Sequence, residues 1–383
     1  MNTYILLSEL IVYALFLAFI VIEDPLAVVG YLLALFFGAV VYKKKFPLQT
    51  QKLSSLYADN IKQVGLIAAL LALTFPFIVN GDPYWLQVIN FAILHAIMAV
   101  GLNFMTGRAG LICLGYAAFE AVGAYTVGLL TLKLGVSFWI ALPLSGAMAC
   151  LFGIILGLPA LRVKGHYLAL VTIAFGLIVQ ELILNTESVT GGTNGLIDIP
   201  SPVIFGYDLG TVMNLGFTSM SYLANFYYLC LAVLIFSTVV LYKLSNSFLG
   251  LSLNAMREDQ LAVQCYGMNL TSYKLYAFAI SAFFGGLAGG LYAAMINFIA
   301  PENFGYSLSV IIISMIILGG LDSIPGALLG AFALSIFPEK FRAFEDYRVF
   351  FYGLIIVLCL LFMREGLVPF KRRIFKAFPR EAG

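Results

Sequence analysis

The sequence predicts an all-α polytopic membrane protein, and three observations carry that reading. Of its 383 residues, 62% are hydrophobic. Only 10% are charged, against roughly 25% in a typical soluble domain. Apolar stretches of the length that spans hydrocarbon as a helix, about 20 residues, recur along almost the whole chain. Length alone would suggest two or three soluble domains, but the chain divides better into membrane spans.

In chain order the candidate spans are 4–21, 26–42, 62–79, 86–106, 112–131, 137–160, 166–185, 225–243, 274–298, 306–320, 326–339 and 348–363. The segments 306–320 and 326–339 are short and separated only by GGLDSIPG. They read either as two spans or as a re-entrant pair, which leaves about 10–12 transmembrane or re-entrant helices by the length criterion. Broken elements of that kind are tolerated only where protein or a cavity shields their backbone.

Charge sets the orientation. With the N-terminus inside and strict alternation, all but four of the 21 Lys and Arg fall on the cytoplasmic side. Lys43–Lys44–Lys45 and Lys371–Arg372–Arg373 are among them; Lys133, Lys340, Arg342 and Arg348 fall outside. That is the positive-inside bias, and it puts both termini in the cytoplasm. The first span starts MNTYILLSEL, without a basic n-region, and no A-x-A-like site precedes Glu23–Asp24. It therefore reads as a span rather than a cleaved leader.

The same map gives the domain organisation. Residues 1–45 form an extra N-terminal helix pair, 46–85 an inner loop and linking helix, 86–370 the core, and 371–383 a basic cytoplasmic tail. Two long connections interrupt the core. The outer one, 186–224, begins NTESVTGGTNGLIDIPSP and is rich in turn formers. The inner one, 246–273, carries Arg257, Glu258 and Asp259 together in a chain with few charges.

Several chemistries are absent. There is no G-x-x-x-x-G-K-[ST] loop, no Gly-Lys pair anywhere and no H-E-x-x-H. His95 and His166 are far apart and have no acidic or thiol neighbours at metal-ligand spacing. The cysteines at 113, 150, 230, 265 and 359 contain no C-x-x-C pair and define neither a metal site nor a disulfide framework. The chain is thus read as a non-enzyme with no cofactor of its own and no nucleic-acid partner. If ATP drives it, hydrolysis occurs on another polypeptide.

Ionisable residues within spans are functional candidates by default, because their desolvation needs compensation. His95 lies near the middle of one span and Glu120 inside another. The alternative for His95 is a neutral imidazole satisfied by one interhelical hydrogen bond. Gly285, Gly286, Gly289 and Gly290 in ISAFFGGLAGGLYAAM suit close helix contact. Gly107–Arg108–Ala109–Gly110 reads as an inner turn.

From about Ala92 to Pro369 the chain resembles the permease subunits of bacterial high-affinity branched-chain amino-acid ABC importers. The resemblance is to the longer of their two paired permeases. It rests on GLNFMTGRAGLICLGYAAFEAVGAY, LRVKGHYLALVTIAFG, TGGTNGL, AMREDQLAVQCYGMNLTSYKLYAFAISAFFGGLAGGLYA and PENFGYSLSVIIISMIILGGLDSIPGALLGA, in that order. It implies a multi-pass subunit of the bacterial cytoplasmic (inner) membrane, paired with a second homologous permease. Two cytoplasmic ATPases, using ATP and Mg²⁺, would power it. An extracytoplasmic binding protein would deliver leucine, isoleucine or valine.

Within the resemblance, 246–273 is the cytoplasmic coupling segment, and the family pattern falls on Glu258, Ala262 and Gly267. The local physics fits: Arg257–Glu258–Asp259–Gln260 suit the opening of a short helix, where the dipole favours acidic groups. Leu261, Ala262, Cys265 and Tyr266 suit a contact face, Gly267 a helix stop, and Thr271 the cap of the next span. The family commonly has Gln, Ser and His where Leu111, Cys113 and Tyr116 stand, and an uncharged residue at Glu120. Tyr116, Glu120 and His95 are the candidates for contacts along the translocation path. Urea and short-chain amide permeases have related sequences and form the alternative within the class. An ion-coupled secondary transporter, with Glu120 or His95 titrating, and a passive channel are the alternatives outside it.

Overall fold

The computed structural model describes residues 3–22, 61–79, 82–161, 166–214, 219–340 and 366–368, with a few isolated positions besides. The expected spans 26–42 and 348–363, nearly all of the inner loop 43–61, and the tail 371–383 lie outside these residues. The other ten expected spans are helices. They are α1 (Thr3–Val21), α2 (Ile61–Ile78), α3 (Pro83–Asn103), α4 (Ala117–Leu134), α5 (Phe138–Ala160) and α6 (His166–Asn185). After the outer loop come α7 (Leu223–Ser245), α8 (Phe248–Glu258), α9 (Gln260–Cys265), α10 (Leu270–Ile296), α11 (Tyr306–Gly319) and α12 (Ile324–Lys340). Seven of the described helical stretches are long and apolar enough to cross a membrane. The fold is the expected all-α polytopic one.

Small residues inside and large apolar ones outside organise the helix packing. On α5, Ala141, Ser145, Ala149, Gly153, Leu156 and Ala160 form one buried stripe at helical spacing. Ile140, Leu144, Met148, Leu151, Ile155 and Leu158 form the opposite, exposed one. Lipid is as apolar as leucine, so such helices associate by close backbone approach rather than by hiding large side chains. The buried stripe faces α10: a Cβ at Gly153 would stand 2.7 Å from the Ala282 methyl, and one at Gly286 2.5 Å from that of Ala149. Ser145 Oγ also donates to Gly286 O at 3.1 Å. Across α10 lies α4, where a Cβ on Gly289 or Gly123 would collide with the Glu120 or Gly286 carbonyl oxygen. The glycine cluster in the sequence is therefore a three-helix seam.

Proline costs α2 one backbone bond, and α7 repairs it. Pro76 has no N–H to offer the carbonyl of Ala72, four residues earlier. Tyr227 of α7 donates its hydroxyl to Ala72 O at 2.6 Å. In hydrocarbon such a freed carbonyl needs a donor from a neighbouring helix.

Three contacts agree with the alternating topology. On the outer side, β1 (Leu196–Ile197) pairs antiparallel with a strand from beyond α10, Phe298–Ile299. Lys133, at the outer end of α4, donates to Ser188 O and Val189 O of the outer loop. At the inner side, Arg108, Arg257 and Asp322 come together. The outer loop also holds two hairpins, β2–β3 (Val203–Ile204 with Tyr207–Asp208) and β4–β5 (Met213–Asn214 with Ser219–Met220).

The α11–α12 pair resolves the choice left open by its length. Asp322 N donates to Asn103 Oδ1 at the inner end of α3. At the other end, Tyr84 donates its hydroxyl to Glu339 Oε2 at 3.0 Å. α12 therefore runs alongside the whole of α3 as a crossing helix rather than a re-entrant one. Leu367 N and Val368 N donate to Leu318 O and Gly319 O, so the chain returns to the inner end after its last expected span.

One expected boundary is wrong. The span predicted over 112–131 begins at Ala117, and residues 110–116 are not helical. Before them, α3 ends in a π-helical turn, Phe104–Arg108. Gly110 then takes φ +69°, a left-handed conformation that glycine adopts without a Cβ clash. Gly115 packs against the Thr172 backbone, where a side chain would collide with its carbonyl oxygen. Leu114 N donates to Thr172 Oγ1 at 3.0 Å, one of the bonds replacing the missing helical ones.

Candidate functional site

The connection from α7 to α10, expected on the cytoplasmic side, is built from two short helices joined at one extended residue. Gly250, Ser252, Leu253 and Met256 bury one side of α8, while Phe248 and Leu251 stay exposed. Arg257 and Glu258 close α8 instead of opening the next helix, as the sequence had suggested. Asp259, with φ −151°, is the N-cap of α9, and its Oδ1 accepts from Leu261 N at 2.8 Å and Ala262 N at 3.1 Å. A capping carboxylate satisfies amide groups that the helix leaves orphaned.

Gly267 follows α9 at φ +76° and stops it, as expected. The residue that caps α10 is Asn269, not Thr271: Asn269 Oδ1 accepts from Thr271 N at 3.1 Å and Ser272 N at 3.5 Å. Asparagine ranks above threonine at this position, so the sequence held the correct cap two residues earlier.

Glu258, Ala262 and Gly267 all lie on exposed surface of this short segment. So do Leu261, 73% exposed, and Tyr266, 86% exposed. Only Val263 of α9 is buried. The expected contact residues thus form an outward-facing patch whose apolar members have no cover among the described residues.

Arg257 turns the other way. Its Nη1 donates to Gly107 O and lies 3.7 Å from Asp322 Oδ2. Arg108 Nε lies 2.7 Å from Asp322 Oδ1. Asp322 is buried, and it holds a left-handed backbone at φ +70° in the α11–α12 connection. Three elements distant in sequence therefore meet at one carboxylate. The sequence reading singled out Arg257 without a partner and did not mark Asp322 at all.

The three path candidates do not form one site. Tyr116, immediately before α4, is fully buried and donates its hydroxyl to Ser281 O at 2.8 Å. Glu120, one turn on, is buried, and its Oε2 makes no hydrogen bond among the described residues. His95 is engaged with α12, its Nδ1 lying 3.0 Å from Ser335 Oγ. That is the interhelical bond of the structural alternative. Beside the non-helical stretch, a crevice is lined by Leu114, Gly115, Gly176, Gln180, Tyr306 and Ser309. Its open room of about 10 Å³ suits one water at most. Ser309 Oγ accepts from Ala117 N at the start of α4, so Ser309, Thr172 and Gln180 are polar groups beside the α3–α4 connection that the sequence reading missed. Among the described residues, no group of three His, Cys, Asp or Glu is placed to hold a metal.

A bundle of helices, seven of them long and apolar enough to cross a membrane, joined by an exposed α8–α9 segment, defines a multi-pass membrane protein. Residues 84–360 match the family described as branched-chain amino acid transport system / permease component, and the chain belongs to that family. It is 35% identical over 334 residues to the high-affinity branched-chain amino acid transport system permease protein LivM of Escherichia coli K12. That alignment covers 84% of this chain and 78% of the relative. The probable branched-chain amino acid transport permease protein LivM of Methanocaldococcus jannaschii is 25% identical, over 73% of this chain and 91% of its own length. The ribose import permease protein RbsC of Haemophilus influenzae is 21% identical, over 79% and 92%. No solved structure matches.

Proposed function

We propose that this chain is a transmembrane permease subunit of an ATP-driven importer for leucine, isoleucine and valine, working by alternating access. The observation that carries the mechanism is the exposed α8–α9 segment with its outward patch of Glu258, Leu261, Ala262, Tyr266 and Gly267. Two cytoplasmic ATPases, hydrolysing ATP with Mg²⁺, dock there. A second homologous permease completes the path, and an extracytoplasmic binding protein delivers the amino acid to the outer face. Residues 86–370 form the transport core under this reading, and 1–45 is an accessory helix pair. The solute assignment draws on family membership and on the named function of the relatives.

Alternating access needs an element that the nucleotide state of the ATPases biases between two arrangements. A surface segment stapled to the ends of several membrane helices has the mechanical position for that role. Tyr116, Glu120 and His95 remain the proposed path residues. The crevice beside α4 has no room for an amino acid within this chain alone.

The test is uptake into proteoliposomes containing the complex that co-purifies with this chain. The expected result is uptake of radiolabelled leucine that requires ATP, and that unlabelled isoleucine and valine suppress but urea does not. Suppression by urea or acetamide would move the solute to the amide group. Uptake that ignores ATP and follows a H⁺ or Na⁺ gradient would refute the ATP-driven class.

A further inference from the structure

We propose that Arg257 is the positioning residue that transmits movement of the coupling segment to the membrane helices, acting through Asp322. This inference rests on the coupling role proposed above. Glu258 and Asp259, beside it, face outward or cap α9, whereas the Arg257 guanidinium reaches into the molecule.

Its two targets belong to different membrane elements. Gly107 O lies in the π-helical turn that ends α3, and Asp322 lies in the connection between α11 and α12. These elements are already tied together by the bond from Asp322 N to Asn103 Oδ1 and by the Arg108–Asp322 ion pair. They also touch directly: a Cβ on Gly107 would stand 2.6 Å from Asp322 N. Arg257 is thus the coupling segment's handle on a pre-assembled unit. Its stem lies over Gly110, where a Cβ would come 2.8 Å from Arg257 Cγ. Gly110 in turn opens the non-helical stretch that leads to α4.

The chemistry suits a lever. The hydrogen bond from the guanidinium to the Gly107 carbonyl is charge-assisted and directional, and the 3.7 Å separation from Asp322 Oδ2 adds an ion pair without a hydrogen bond. Asp322 is shielded, with 4% side-chain exposure against 30% for Arg257, so water screens the contact weakly. π-Helical turns occur mostly as single-turn features and often at functional sites. Pulling Arg257 therefore displaces the end of α3 and the α11–α12 connection together. A segment attached only through Leu253 and Met256 would slide on an apolar surface without that directional grip.

The experiment compares Arg257→Gln, Arg257→Lys, Asp322→Asn and the double variant R257Q/D322N in the purified, reconstituted complex. Leucine moved per ATP hydrolysed is measured together with retention of the ATPase subunits. Asparagine tolerates a left-handed backbone, so D322N removes charge while sparing the turn. R257Q is expected to insert, keep its ATPase subunits and hydrolyse ATP. Its leucine-to-ATP ratio should fall about fivefold or more, the usual size of coupling between sites. R257K should recover part of the loss, and R257Q should cost less in the D322N background than in the wild type, because only its Gly107 contact is then left to lose. An unchanged ratio, loss of the ATPases from R257Q, or fully multiplicative effects in the double variant would each overturn the lever. If D322N fails to insert, the R257Q and R257K pair decides alone. The coupling reading fails separately, and visibly, if Glu258→Lys leaves the ratio at the wild-type value.

Discussion

The α4–α5–α10 seam and the cytoplasmic α8–α9 segment both depend on glycine, for opposite reasons. In the seam, glycine is demanded by crowding: Gly289 sits against the Glu120 backbone, and Gly153 against Phe278 and Ala282. In the segment, Gly267 has nothing within 4 Å of where a Cβ would stand, and it is demanded by φ +76°. The first region is held by contact along whole helices. The second is held by caps, three buried apolar side chains (Leu253, Met256 and Val263) and the reach of Arg257. The difference separates a seam fixed by close contact from a segment that the proposed coupling role requires to move.

Two substitutions sharpen that contrast. Gly289→Ala carries the larger expected effect, because its methyl meets backbone that has no side-chain freedom to yield. Overpacking of this kind costs about 1–3 kcal/mol. A lowered thermal unfolding midpoint in detergent should report it, with transport and assembly falling together. A midpoint equal to wild type would show that α4 and α10 are not packed as described. Gly267→Ala should cost about 1 kcal/mol from the left-handed backbone alone. It should leave the unfolding midpoint of the bundle nearly unchanged while lowering ATP-coupled uptake. If its midpoint instead fell as far as that of Gly289→Ala, the segment would be as firmly packed as the seam and the contrast would collapse.

Much of this molecule is legible from hydropathy and charge, because a membrane span announces itself by length and composition. The α11–α12 pair showed as two short apolar segments, either two spans or a re-entrant pair, whereas Glu258, Ala262 and Gly267 were picked out by the family resemblance and not by hydropathy or charge. The start of α4 was not legible: GLICLGY is as apolar as a helix, and its unwinding depends on Gly110, Gly115 and the Thr172 hydroxyl on another helix. The partnership of Arg257 with Asp322 was equally hidden. Nothing local pairs an arginine in a cytoplasmic segment with an aspartate 65 positions later. Glu120 was visible in the sequence as a charge inside a span, but its burial without a hydrogen bond at Oε2 among the described residues depends on packing that sequence does not show.

The most direct test of the central claim is ATP-driven leucine uptake by Glu258→Lys in the reconstituted complex. Glu258 is exposed, its side chain 56% accessible, so the variant should insert and unfold like wild type. The account expects ATP-dependent uptake to drop about tenfold or more, as for a lost coupling contact, with protease accessibility and thermal midpoint unchanged. Wild-type uptake from a correctly inserted Glu258→Lys complex would contradict it.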